Sequence, residues 1–136
     1  MNIETQMDAV KSLRLHKVTG QINFQDFSNL LKGIYNSAEF DPKQHSLWDV
    51  RDADFSMVNA QDIRALAEYV RAHWDMTRKN RAAIVVSGLS DFGISRMYEQ
   101  ILGPAATGKV MVFRNIKSAW DWIEGKAAAV VQKAGN

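Results

Sequence analysis

The chain has 136 residues, of which 46% are hydrophobic and 24% are charged. This is the length of one domain with enough apolar side chains for a core, so disordered and low-complexity classes are excluded. Seventeen Lys and Arg against fifteen Asp and Glu leave a net charge of only +2, which gives no support for a nucleic-acid partner. Because the chain has no Cys, disulfides, thiolate metal ligands and cysteine nucleophiles are excluded.

The N-terminal sequence MNIETQ lacks the basic region and the apolar stretch of a secretory signal. No segment reaches about 18 uninterrupted apolar residues, the length that spans a bilayer. These features predict a cytoplasmic protein, and they leave peripheral association with a membrane open.

The first elements of the chain are predicted to be a β-hairpin and a helix. Apolar and polar residues alternate between residues 12 and 24 on both sides of Thr19-Gly20, which favours a hairpin with its turn at these two residues. A helix over about residues 25–36 follows, with Asn23 as its N-cap and Asp26 at the third helical position.

The rest of the chain alternates short apolar runs with amphipathic segments, which predicts strands that alternate with helices. In chain order we expect a strand at 46–50 followed by a polar run at 51–54, a helix capped by Asn59, a buried strand at 81–87, a helix capped by Ser90 or Asp91, a buried strand at 109–113, and a helix that begins near Ser118.

The predicted order of elements is therefore β-β-α-β-α-β-α-β-α. Strands that alternate with helices require crossover connections, so we expect an α/β fold with a five-stranded mixed sheet and four helices. We predict that residues 1–136 form a single domain, with a core at about 10–124 and a C-terminal tail at 126–136. Strand order is left open.

The sequence contains no coherent catalytic or metal-binding set. The three His residues have no ligand spacing, so neither a metal nor another cofactor is expected. Asp49, Asp52 and Asp54 cluster near the end of a strand, where they could hold a hard cation, but Arg51 lies among them and a local ion pair is the simpler interpretation. If the protein were an enzyme, the Asp49, Arg51 and Asp52 corner would be its site.

Instead of a catalytic or metal site, other polar and aromatic side chains could form a site that binds a ligand. Arg51, Arg96 and Arg114 each fall near a strand end or early in the following helix, so together they could bind a carboxylate or phosphate. Aromatic and Met side chains could line an apolar pocket nearby, or they could be ordinary core. The candidate ligand-binding residues are Arg51, Asp52, Phe92, Arg96, Met97, Tyr98 and Arg114.

Several phrases, in this order and spacing, resemble the SpoIIAA-like family of STAS-type domains, which is related in shape to the CRAL-TRIO lipid-binding fold. The phrases are VTGQI at 18–22, LWDVRDA at 47–53, RAAIVV at 81–86, FGISRMY at 92–98, and VMVFR at 110–114 with Ala119-Trp120 beyond. The resemblance covers about residues 10–124 and implies a non-enzymatic domain.

Two functions follow from this resemblance as expectations. The first is a small binding or interaction module for a lipophilic or amphipathic molecule, a membrane surface, a protein partner or a second copy of the chain. The alternative is a partner-switching regulator, because anti-sigma-factor antagonists of this type carry a phosphorylated Ser before the helix that follows the third strand. Here Ser56 is the only candidate, and Met57 and Val58 stand where the motif would have Asp and Ser.

Overall fold

The sheet forms the centre of the protein. A computed structural model describes residues 1–73, 80–103 and 109–125, and within these residues the chain forms five strands and four helices in the predicted order. The strands are β1 (Asn2–Asp8), β2 (Leu13–Gln21), β3 (His45–Asp54), β4 (Ala82–Val85) and β5 (Val110–Phe113). The helices are α1 (Phe24–Asn36), α2 (Ala60–His73), α3 (Leu89–Leu102) and α4 (Ile116–Ile123).

The strands lie side by side in the order in which they occur in the chain, β1-β2-β3-β4-β5. β1 is antiparallel to β2, whereas β2, β3, β4 and β5 are parallel to one another. The prediction of an α/β fold with a mixed five-stranded sheet is therefore confirmed. The predicted C-terminal tail at 126–136 lies outside the described residues.

The predicted hairpin was wrong in position. Residues 13–21 form one continuous strand, and the turn lies at residues 9–12, where Asp8 Oδ1 accepts a hydrogen bond from the Lys11 backbone N–H at 3.0 Å. Gly20 has a positive φ of 84°, but it lies within β2 beside the backbone of Met1. β1 was missed because it is an edge strand whose side chains are mostly exposed, so its sequence has no apolar alternation.

The polar run at 51–54 was expected to follow the third strand, but it is part of that strand. β3 continues to Asp54, and its pairing with β2 shifts between Lys17 and Thr19 because β3 contains one extra residue there. β4 pairs only with residues 46–49 of β3, so the far end of β3 has one neighbour and tolerates polar side chains.

The helix starts follow the predicted capping residues in the first half of the chain. Asn23 Oδ1 accepts a hydrogen bond from the Asp26 N–H at 3.1 Å, and Asn59 and Asp62 cap α2 reciprocally. The two later helices differ from the prediction. α3 begins at Leu89 with Gly88 at its N-cap, and α4 begins two residues before Ser118 because Asn115 accepts the Ser118 N–H at 3.1 Å.

The two faces of the sheet are packed differently. α4 covers one face, where Leu47, Phe113 and Trp122 belong to one buried cluster. α1, α2 and α3 cover the other face and contribute to two further clusters. Because side chains alternate along a strand, the even-numbered residues of β2, such as Arg14 and Val18, point towards these three helices, and Leu13 points towards α4.

Candidate functional site

A cavity of about 320 Å³ lies between the sheet and the three helices α1, α2 and α3. Its wall is mostly apolar. The sheet contributes, among others, Trp48, Val50, Ala82, Ile84 and Val110. The helices contribute, among others, Phe27, Leu31, Ile34, Ile63, Leu66, Val70 and Ile94. Many of these side chains are only half-buried because one side of each faces the cavity.

The side chains on the sheet explain why space remains here. Ser46 and Ala82 are neighbours on β3 and β4, and both are too small to reach the helices above them. Beside them Trp48 rises from β3 and meets the edge of the Phe27 ring, with ring centroids 5.9 Å apart. Small residues next to large ones therefore leave a pocket with a rigid aromatic wall.

Arg14 places a positive charge in the wall of this cavity. Its side chain is only 8% exposed, and Nε is buried without a hydrogen-bond partner. The guanidinium lies over the Phe40 ring, with Cζ 4.6 Å from the centroid. Burial lowers the Arg14 pKa from its usual value, and the nearby Tyr35 and Asp41 oppose that shift. Arg side chains remain protonated in proteins, so a cation lies in a mostly apolar wall.

Two tyrosines add hydroxyl groups to the same wall. Tyr35 of α1 and Tyr98 of α3 both line the cavity. Burial raises the pKa of each phenol, and the influence of Tyr35 further raises the pKa of Tyr98. Both hydroxyls are therefore neutral at physiological pH and can donate hydrogen bonds.

His16 lies two residues beyond Arg14 on the same face of β2. Its ring stacks on Trp48 with centroids 4.1 Å apart, and Nδ1 lies 2.9 Å from Thr5 Oγ1. Nε2 is buried without a hydrogen-bond partner. Burial, together with the charge of Arg14, lowers the pKa of His16 to about 4. The imidazole is therefore neutral at physiological pH.

The polar corner predicted on β3 is an ion-paired surface. Arg51 binds Asp49 with two hydrogen bonds, Nε to Oδ1 and Nη2 to Oδ2, both at 2.8 Å. These bonds lower the pKa of Asp49 and raise that of Arg51. Asp52 lies 3.6 Å from Lys17 Nζ. A general acid needs a raised carboxyl pKa, so this arrangement favours the ion-pair interpretation of the corner.

The seven candidate ligand-binding residues are not brought to one place. Tyr98 lines the cavity, and among the described residues the other six are not part of its wall. Phe92 packs against the buried cluster near Val18, Arg96 and Met97 are half-buried on α3, and Arg114 is exposed after β5. Arg51 is held by Asp49.

Arg14 is the cavity residue that the sequence analysis missed. Arg14 was not among the candidate residues, because the alternation was interpreted with Leu13 and Leu15 as the apolar residues and Arg14 and His16 as the polar residues between them. Val18 and Ile22 could have indicated the position of Arg14, because all three have even numbers and so lie on the same side of the strand. Val18 and Ile22 are apolar, and they are buried with 0% and 4% exposure. A strand with apolar residues on both faces is covered on both sides, so its polar residues can also lie inside.

Ser56, the candidate for phosphorylation, is exposed in the turn between β3 and α2. Its backbone N–H donates to Asp54 Oδ1 at 2.8 Å, and the Val58 N–H donates to the Phe55 carbonyl at 2.9 Å. Phe55 and Val58, on either side of Ser56, line the cavity. A modified Ser56 would therefore stand beside the cavity wall.

In residues 1–73, 80–103 and 109–125, no three His, Asp or Glu side chains are grouped as metal ligands would be. Across the same residues, none of the helices has both the length and the apolar character needed to cross a bilayer.

Comparison with solved structures identifies the class of fold. An uncharacterised protein of the DUF3478 family from Shewanella loihica PV-4, whose crystal structure has a SpoIIAA-like fold, is similar over 90% of this chain and 92% of its own. The TM-score is 0.56 and the sequence identity is 19%. The chain therefore has a SpoIIAA-like α/β fold, as its sequence phrases predicted.

Sequence comparisons add nothing further. No protein-family model matches the chain, and no curated protein matches it. At 19% identity the structural likeness is evidence for the fold alone. A fold does not define a function, which depends on the site that the fold carries.

Proposed function

We propose that the protein is a non-enzymatic binding module that holds a small lipophilic or amphipathic molecule between its sheet and α1, α2 and α3. The observation that carries this proposal is the apolar cavity of about 320 Å³. Protein interiors are close-packed and have few voids larger than a water molecule. Ligand pockets, by contrast, begin at about 300 Å³ and have mostly apolar walls.

The hydrophobic effect would supply the affinity. Trp48, Ile34 and Leu66 are half-buried and face the cavity, so a bound apolar molecule would remove their surface from water together with its own. Each buried methylene contributes about 0.8 kcal/mol. About ten methylenes therefore contribute about 8 kcal/mol, from which about 4 kcal/mol or more is lost as entropy of association.

The proposal places the point of entry at the loop between β3 and α2. Met57 is 68% exposed, and Phe55 and Val58 beside it line the cavity. An exposed apolar side chain next to a pocket suits contact with a membrane surface or a protein from which a lipophilic molecule is taken. A cytoplasmic protein in peripheral contact with a membrane fits this use of the loop.

The test is to fill the cavity. Ala82→Leu adds a larger side chain to the cavity wall, whereas Ala65→Leu adds the same side chain to an exposed position of α2. We expect decan-1-ol to bind the wild-type protein and Ala65→Leu equally, and Ala82→Leu at least about tenfold more weakly, because the space for it is reduced. Isothermal titration calorimetry measures the affinities. Native mass spectrometry with a lipid extract shows which molecules are retained.

Two results would contradict the proposal. If decan-1-ol does not bind the wild-type protein and no lipid is retained from the extract, the ligand-binding function fails. If Ala82→Leu and Ala65→Leu bind decan-1-ol equally, the ligand occupies another place.

A second candidate is partner switching, and the exposed position of Ser56 before α2 favours it. A phosphate here would add about two negative charges beside Asp54 and change the surface offered to a protein partner. With a kinase-like anti-sigma factor as the partner, we expect Ser56→Asp to weaken binding at least about tenfold and Ser56→Ala to leave it unchanged. If both variants bind as the wild type does and the kinase does not modify Ser56, this function is excluded.

A further inference from the structure

A purely apolar ligand would not explain why Arg14, a cation, lies in the cavity wall. Arg14 is 8% exposed and lines the cavity, its Nε is buried without a hydrogen-bond partner, and the described residues provide no ion pair for the guanidinium. A buried donor of a charged group that has no acceptor is unfavourable because it loses its hydration. A partner that arrives with the ligand would explain why the chain keeps a cation here.

Among the described residues, none of the groups around Arg14 forms an ion pair with it. Asp41 is the acidic group close enough to affect Arg14, but it is exposed and its Oδ1 accepts the Lys43 N–H at 2.9 Å. Phe40 offers a cation–π contact, which is weaker than an ion pair in an apolar environment. Tyr35 and His16 are uncharged at physiological pH. Within the described residues, Arg14 therefore has no carboxylate in direct contact, and the charge of Asp41 offsets its own charge only from a distance.

The tyrosine hydroxyls extend the polar end of the pocket. Arg14, Tyr35 and Tyr98 all line the cavity, and Tyr35 raises the pKa of both Arg14 and Tyr98. A guanidinium binds a carboxylate through two parallel hydrogen bonds, and phenol hydroxyls can donate to the same oxygens. A phosphate dianion would exceed the single positive charge and leave a buried negative charge.

The cavity volume limits the apolar part of the ligand. An engineered cavity of about 150 Å³ holds benzene, which has six carbon atoms. A volume of about 320 Å³ therefore fits about a dozen non-hydrogen atoms. A monocarboxylate of about ten carbons has that size.

Building on the proposed function, we propose that the ligand is an amphipathic monocarboxylate whose carboxylate pairs with the Arg14 guanidinium and whose apolar body of about ten carbons fills the cavity. In the complex the Tyr35 and Tyr98 hydroxyls face the head group. The remainder of the ligand lies against Trp48 and the apolar side chains of the three helices.

The test compares three probes with the same chain by isothermal titration calorimetry at pH 7.4: decanoate, decan-1-ol and decyl phosphate. We expect the wild-type protein to bind decanoate at least about tenfold more tightly than decan-1-ol, because only the carboxylate pairs with Arg14. Decyl phosphate is expected to bind more weakly than decanoate. This comparison requires no variant.

Arg14→Met then measures the contribution of the positive charge to binding, because Met is a long side chain like Arg but is apolar. We expect this variant to lose the preference for decanoate and to bind decan-1-ol as the wild type does. Arg14→Lys is expected to keep part of the preference, since it retains the charge without the planar fork. Without ligand, the unfolding midpoint of Arg14→Met should equal or exceed that of the wild type, because a buried unpaired charge is removed.

The outcomes separate the two proposals. If the wild-type protein binds neither decanoate nor decan-1-ol, the proposed function fails. If it binds decan-1-ol as tightly as decanoate, or binds decyl phosphate more tightly, the carboxylate inference is overturned while the binding function stands. A wild-type preference that persists in Arg14→Met, or a large loss of stability in that variant, also overturns the inference, because Arg14 then has a structural role.

Discussion

At the scale of single residues, burial decides what the polar side chains of β2 do. Arg14 and His16 are ordinary surface residues by composition, but the fold buries both on the side of the three helices. Burial keeps His16 neutral and leaves the Arg14 Nε without a hydrogen-bond partner. The same physical effect therefore gives an uncharged ring stacked on Trp48 at one position and a cation in the cavity wall at the other.

His16 predicts a loss of stability in acid. Its pKa is 6.5 when unfolded and about 4 when folded, so below pH 6.5 the unfolded chain binds the proton more readily. Stability should therefore be unaffected by this group above pH 6.5 and fall as the pH drops to 4, by about 3 kcal/mol in total. Urea denaturation between pH 7 and pH 4 measures this loss.

The control is His16→Phe, which keeps an aromatic ring against Trp48 but cannot take up a proton. Comparison with this variant also removes the contributions of other groups, since Asp49 and His45 have lowered pKa values that act in acid too. The wild-type protein should lose more stability than His16→Phe over this pH range. Equal losses would contradict the assigned pKa.

At the scale of elements, the accuracy of prediction followed the strength of the local signal. Asn23 and Asn59 were recognised as N-caps because each has an acidic residue three positions later. Asn115 caps α4 without such a residue, so the start of that helix was placed too late. Edge strand β1 has no apolar periodicity, and its pairing with β2 depends on backbone hydrogen bonds that any sequence can make.

At the scale of the whole molecule, the sheet separates a packed core from an apolar cavity. On the α4 side, buried residues of β2, β3, β4 and β5 form one cluster with Trp122 and Ile123. On the other side, three helices surround about 320 Å³ of space. The stable face and the proposed ligand-binding face therefore share the same strands.

Matched leucines on the two faces test this separation. Leu47 is fully buried under α4, and Leu31 of α1 is buried but borders the cavity. We expect Leu47→Ala to lower the free energy of unfolding by about 3–5 kcal/mol and Leu31→Ala by about 2 kcal/mol, because Leu31 already lacks neighbours on one side. Urea denaturation of the ligand-free protein measures both changes. Equal losses would mean that the cavity is closed in solution.

The sequence by itself determined the α/β class, the order of the elements, two helix caps and the resemblance to SpoIIAA-like domains, because periodicity and capping act over neighbouring residues. Only the tertiary structure decided the strand order, the separation of Arg51 and Asp52 from Tyr98, and the position of Arg14 in the cavity wall. A cavity is formed by residues distant in the chain. Its volume depends on the distance between the helices and small sheet side chains such as Ser46 and Ala82. Local sequence patterns do not determine that distance.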